Sequence, residues 1–146
     1  YDPVENKVVL IEQLRIGALD TKDSPWLLEV IAGMIDKPED KQQVAIRETE
    51  EEAGLTIHKL IPMLSYLSSP GGSTERLYLY LGIVDCKSAG GIFGLEDEQE
   101  DIKVHVFDYN EAIDLLNNDE LDNAATLICM QWLALNKSKI DKQIHA

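Results

Sequence analysis

Apolar positions along this chain fall in short runs whose period changes, and the changes mark the elements. Residues 8–14 read VVLIEQL between Lys7 and Arg15, a β-branched run that predicts a buried strand. A polar turn follows at residues 20–25, and WLLEVI at residues 26–31 predicts a second strand running into Ala32-Gly33. A helix is predicted to start at residues 36–39 and to stop at Gly54, a residue suited to the position after a last helical turn. Residues 57–67 are apolar but interrupted by Pro62, which predicts a bent or edge strand, and His58 on it reads as a surface residue. Residues 75–84 alternate as a strand, with Tyr78 and Tyr80 on one face as core or interface residues. Residues 102–107 alternate again, with His105 beside Lys103 in a structural role. Helices are predicted at residues 110–116 and 123–135, with Met130, Trp132 and Leu133 as core or dimer-contact residues. The Lys-rich tail after Asn136 reads as frayed. Strands with a helix after the second and helices at the end give an α/β sandwich around a mixed sheet.

The stretch from Gly33 to Leu55, GMIDKPEDKQQVAIRETEEEAGL, changes this picture from fold to chemistry. At about 100° per residue, Glu51 lies about 60° to one side of Glu48 and Glu52 about 40° to the other. Three carboxylates share one narrow face, while Ile46, Thr49 and Ala53 cluster roughly 140° away as a packing side. Like charges at these spacings repel and destabilise a helix, so something must compensate. A hard cation such as Mg²⁺ or Mn²⁺, which takes oxygen ligands, is one answer, and a solvated acidic face is the other. Glu39 has a sufficient role in the first turn, where acids suit the helix dipole. Arg47 stands four residues before Glu51, where an ion pair can form.

Composition narrows the field. The chain has 146 residues, is 45% hydrophobic and carries a formal charge of −14, enough for one domain with a core. That charge excludes non-specific nucleic-acid binding, which needs basic patches. It would also repel a phosphate substrate unless divalent cations stood between them. No apolar run reaches the length of a membrane span, and no signal peptide is visible. Cys86 and Cys129 form no metal-type pair and read as buried or reduced thiols, which fits the cytoplasm.

The spacing of Gly33, Glu39, Arg47-Glu48, Glu51-Glu52 and Gly54-Leu55 is that of the Nudix box, and the chain resembles the Nudix hydrolases. Thr49 is a departure, since the family usually has an aliphatic residue there; it touches packing and not chemistry. The resemblance continues through SPGGSTE (residues 69–75), SAGGIFGLEDEQEDIKVHVF (residues 88–107) and DNAATLICMQWL (residues 122–133). It covers nearly the whole chain and is to the bacterial ADP-ribose pyrophosphatases within the family. It implies a Nudix domain over residues 1–136, with the tail at residues 137–146.

The resemblance also implies the site. Glu48, Glu52, Glu100 and the Ala32 carbonyl would hold Mg²⁺, or Mn²⁺, with Glu51 bridging between metals or ligating through water. Arg47 would orient these carboxylates. Glu98 would be the general base that takes a proton from water. Arg15 would lie against the substrate diphosphate, although a surface strand end is an equal reading; Met34, Ser69 and Glu75 would border the substrate. The Gly-rich residues 89–94 before the acidic residues 95–101 would hinge a lid, and a plain solvated loop is the alternative. The implied reaction is hydrolysis of ADP-ribose to AMP and ribose 5-phosphate. The alternatives are a pyrophosphatase for another nucleoside-diphosphate sugar such as GDP-mannose, or a non-catalytic nucleotide-sensing module. Related enzymes have a segment before this chain's Tyr1 that helps to build a homodimer and the adenine pocket, so such a segment and a homodimer are expected here.

Overall fold

The computed structural model describes residues 1–20, 24–36, 38–94 and 101–144. Its strands are β1 (Lys7–Leu14), β2 (Trp26–Glu29), β3 (Lys59–Leu67), β4 (Arg76–Ile83), β5 (Gly91–Phe93) and β6 (Ile102–Asp108). Its α-helices are α1 (Lys41–Ala53), α2 (Tyr109–Asn117) and α3 (Ala124–Ile144), and a short 3₁₀ turn covers Ile16–Ala18.

Strand β1 is central because it is apolar on both faces. Val8 and Leu10 join Leu81, Ile83, Ala112, Met130 and Leu133 in a core between the sheet and helices α2 and α3. Ile11 points the other way and packs with Ala53, Leu55, Ile102 and Val104 beneath α1. Helices therefore cover both faces, the α/β arrangement expected. Pairing differs from the mixed sheet expected. The order is β2-β1-β6-β5 with β3-β4 as a separate pair, and every described pairing is antiparallel. For the consecutive pairs β1-β2, β3-β4 and β5-β6 the reason is connectivity: a short link returns each strand directly alongside the one before, whereas a parallel neighbour needs a long crossover.

Four other expectations change. Helix α1 begins later than expected, because Asp40 caps it by accepting from the Gln42 N–H at 2.7 Å, leaving Pro38 and Glu39 in the approach. Its end is as expected: Gly54 takes a left-handed φ of 62°, and a Cβ there would also lie 2.7 Å from the Phe93 ring. Gly91, Ile92 and Phe93 pair with β6 instead of forming only a hinge, while residues 95–100, the expected lid with Glu98 and Glu100, lie outside the described residues. On β4 the buried side is Leu79, Leu81 and Ile83; Tyr78 is exposed beneath the Lys41 ammonium, 4.2 Å from the ring centre. Pro62 does bend its strand, with a register shift between Pro62 and Leu64.

The tail is the fourth correction. Helix α3 runs on to Ile144, because Ile140 is buried, Lys137 pairs with Asp141 at 2.6 Å, and the Tyr1 hydroxyl donates to Asp141 at 3.0 Å. A frayed reading followed from polar composition; the tertiary partners are distant in sequence and supply the order. Ile140→Ala is expected to lower stability by about 2–4 kcal/mol, as for other buried large-to-small changes, measured by urea unfolding. A frayed tail would give a change near zero.

His105 has the structural role expected, with Nε2 2.8 Å from Glu12 Oε2 and its ring stacked on Phe107. The two cysteines are free. Burial pushes the Cys129 thiol up to about 12; burial and then the Asp2 carboxylate push Cys86 up to about 11. Neither is a thiolate nucleophile at neutral pH. Among the described residues no helix is long and apolar enough to cross a membrane.

Candidate active site

The site is built where the chain leaves β2. Two contacts from the start of α3 fix that segment. The Asn123 side-chain amide donates to the Leu28 carbonyl at 3.0 Å, and the Thr126 hydroxyl accepts from the Val30 N–H at 2.9 Å. Asn123 also caps its own helix through the Thr126 N–H at 2.9 Å. Two residues further on, the Ala32 N–H donates to Glu52 Oε2 at 3.2 Å. The loop is thus held between α3 on one side and α1 on the other.

Gly33 explains how closely loop and helix meet. A Cβ there would lie 2.0 Å from Glu48 Oε1 and 2.3 Å from its Cγ, so only hydrogen leaves room for the carboxylate. Gly33→Ala is expected to push the Glu48 side chain aside and lower kcat by about 10–100-fold, since misplacement by an ångström costs that much. The urea midpoint should change little, because the side chain that yields is flexible. Unchanged kcat would mean that Glu48 has no fixed place in the chemistry.

Along α1 the three box carboxylates differ in environment. Glu52 is 3% exposed, deeper than its place on a charged face implied, and it shares the buried side with Val44, Thr49 and Ala53. Ile46, expected on the packing side, is only half-buried. Burying a carboxylate costs several kcal/mol before compensation, so Glu52 is held there against its hydration preference. Glu48 and Glu51 meet Arg47, whose Nη1 lies 2.9 Å from Glu48 and 2.7 Å from Glu51, with Nη2 3.6 Å from Glu39. Partial desolvation opposes the guanidinium's charge, but these three carboxylates outweigh it and raise its pKa. Part of the compensation that the acidic face requires is therefore Arg47, as its spacing to Glu51 predicted.

Arg15 follows β1 at the opposite end of the β1–β2 ladder, where its N–H bonds the Pro25 carbonyl. Its Nε and Nη2 fork onto the two Glu29 oxygens at 2.9 and 2.7 Å. Arg15 also lines an open cleft of about 380 Å³ with Gly17, Ala18, Leu27 and Asp122. Met34 is 76% exposed in the loop after Gly33. Ser69 and Glu75 are exposed on the β3–β4 turn, where Glu75 accepts from the Ser68 hydroxyl and the Ser69 carbonyl accepts from Gly72 and Ser73.

The structure thus brings together Ala32, Gly33, Glu39, Arg47, Glu48, Glu51 and Glu52, with Ser69 and Glu75 on a separate hairpin. Glu98 and Glu100 lie outside the described residues. Among the described residues, no three acidic, His or Cys side chains converge as metal ligands do. Sequence reading assigned nothing to Glu29, Asn123 or Thr126. Asn123 and Thr126 carry the Asn-x-x-Thr spacing of a helix cap, which could have marked them; their bonds to β2 are tertiary and left no local signal.

A family model described as NUDIX domain matches residues 3–128. The ADP-ribose pyrophosphatase of Escherichia coli is 48% identical over 143 residues, covering 98% of this chain and 68% of that protein. That of Haemophilus influenzae is 47% identical over 145 residues, covering 97% and 67%. The GDP-mannose pyrophosphatase of an Enterobacter species is 30% identical over 139 residues, covering 93% and 71%.

Proposed function

The chain belongs to the Nudix family, and from that premise we propose that it hydrolyses the diphosphate of ADP-ribose, giving AMP and ribose 5-phosphate with the help of a divalent cation. The observation that carries this reading is the likeness to ADP-ribose pyrophosphatases at 47–48% identity over nearly the whole chain. The likeness to a GDP-mannose enzyme is weaker, at 30%.

The donor set fits a hard cation. Glu48 and Glu52 bring carboxylate oxygens against the main chain at Ala32 and Gly33, in a space that a Cβ would fill. Glu48, Glu52, the Ala32 carbonyl and Glu100 would hold Mg²⁺, or Mn²⁺ in its place, with Glu51 beside them. Such a cation, when bound, neutralises phosphate charge and lowers the pKa of an attacking water.

The chain's own residues do the rest. Arg47 fixes Glu48 and Glu51 against each other's repulsion, so that neither has to be ordered during reaction. Glu98 would accept the water's proton as the oxygen bonds to phosphorus and the bridging P–O bond breaks. Arg15 would bind the diphosphate through charge-assisted hydrogen bonds. Met34, Ser69 and Glu75 would border the nucleotide and ribose ends. A homodimer in the cytoplasm, without nucleic-acid or membrane partners, completes the proposal.

Turnover of a panel of nucleoside-diphosphate sugars in Mg²⁺ tests it. The highest kcat/KM is expected for ADP-ribose, well above GDP-mannose. A preference for GDP-mannose would replace the substrate, and binding without turnover of any of them would favour a sensing module.

A further inference from the structure

The sequence has three arginines. Arg47 is committed to three carboxylates, and Arg76 lies exposed on β4 with its Nη1 3.4 Å from the Ser65 hydroxyl. Arg15 lines the open cleft. In a chain of charge −14, a cation in a cleft is the natural contact for a phosphate anion. One contact that holds it is Glu29. The register pairs Ile11 with Glu29 and Gln13 with Leu27, and the Arg15 N–H bonds the Pro25 carbonyl. Ile11, Gln13, Glu29 and Leu27 share one sheet face. It is the α1 face, since Ile11 packs with Ala53. The Arg15 side chain lies back along the strands to reach Glu29. Both its Nε and Nη2 engage that carboxylate, which is only 12% exposed against 45% for Arg15.

We infer that Glu29 is a positioning residue, holding the Arg15 guanidinium by one edge so that its opposite edge meets the substrate diphosphate. This rests on the diphosphate-hydrolase reading. A guanidinium is planar and offers five donors; a fork on the Nε side turns the Nη1 side away from Glu29. Glu29 also stands three residues before Ala32, whose N–H bonds Glu52, so their Cα atoms are at most about 11 Å apart. A single rigid stretch therefore carries both the hold on Arg15 and the contact with the carboxylate helix. One diphosphate can lie between them, with the cost of ordering a long arginine met before substrate arrives.

The test is a double-mutant cycle on the full chain, reading KM and kcat for ADP-ribose and the thermal midpoint. Arg15→Ala should raise KM by about 30-fold and Glu29→Ala by about 10-fold, with kcat falling less than about threefold. Glu29→Gln, which keeps shape and one acceptor, should fall between wild type and Glu29→Ala. In the Arg15→Ala background, Glu29→Ala should add nothing to KM. A KM effect of Glu29→Ala that persists without Arg15, a lowered KM, or a loss confined to kcat and the thermal midpoint would overturn the inference. If Arg15→Ala leaves KM unchanged while the unaltered protein hydrolyses ADP-ribose, this inference alone falls. If the unaltered protein hydrolyses no diphosphate, both readings fall together.

Discussion

Replacing Glu52 by Gln is expected to lower kcat for ADP-ribose by about three orders of magnitude at saturating Mg²⁺ while leaving the fold intact. Glu52 is 3% exposed and accepts the Ala32 N–H, so its charge is held in the interior beside the loop that carries Gly33. A glutamine has nearly the same volume and still offers an oxygen to that N–H. What it removes is the negative charge. If the charge were only a packing accident, its loss would be neutral or stabilising, since a buried carboxylate carries a desolvation cost. If the charge holds a cation, its loss removes the reaction and spares the fold. Steady-state kinetics with a thermal melt separates these. Near-normal kcat in a well-folded variant would end the metal-ligand assignment.

The second large effect is expected at Glu98. Glu98→Gln should lower kcat by about 10²–10⁴, the usual effect of losing a positioned base, with the Mg²⁺ dependence unchanged. Glu100→Gln should instead move the Mg²⁺ dependence to higher concentration and lower kcat with it. The contrast between neighbours two residues apart is the informative result, because a general loss of acidity would affect both alike. Equal, small effects on kcat and on metal dependence would return residues 95–101 to a solvated loop.

How much of this was legible in the sequence varies residue by residue. The shared face of Glu48, Glu51 and Glu52 and the Arg47–Glu51 pair follow from helical spacing, a local rule, and the structure has that pair at 2.7 Å. The depth of Glu52 was not legible. Spacing gives angle but not which angle meets the core, and the loop at Ala32 covers what looked like a solvated face. The start of α1 is ambiguous in the sequence because Pro38 and three acids all suit a first turn, and the Asp40 cap decides between them. The course of α3 past Asn136 rests on Tyr1, more than a hundred residues away. Asn123 and Thr126 act through strand β2, and Glu29 acts through Arg15. Each is a tertiary pairing, which periodicity does not encode.

On the function proposed, the carboxylate face of α1 serves cation-dependent hydrolysis of a diphosphate. Its most direct test is product analysis on ADP-ribose after the protein is treated with a chelator, then after Mg²⁺ is restored. No AMP or ribose 5-phosphate is expected with chelator, and stoichiometric amounts of both once Mg²⁺ returns. Hydrolysis that continues undiminished in chelator would contradict it.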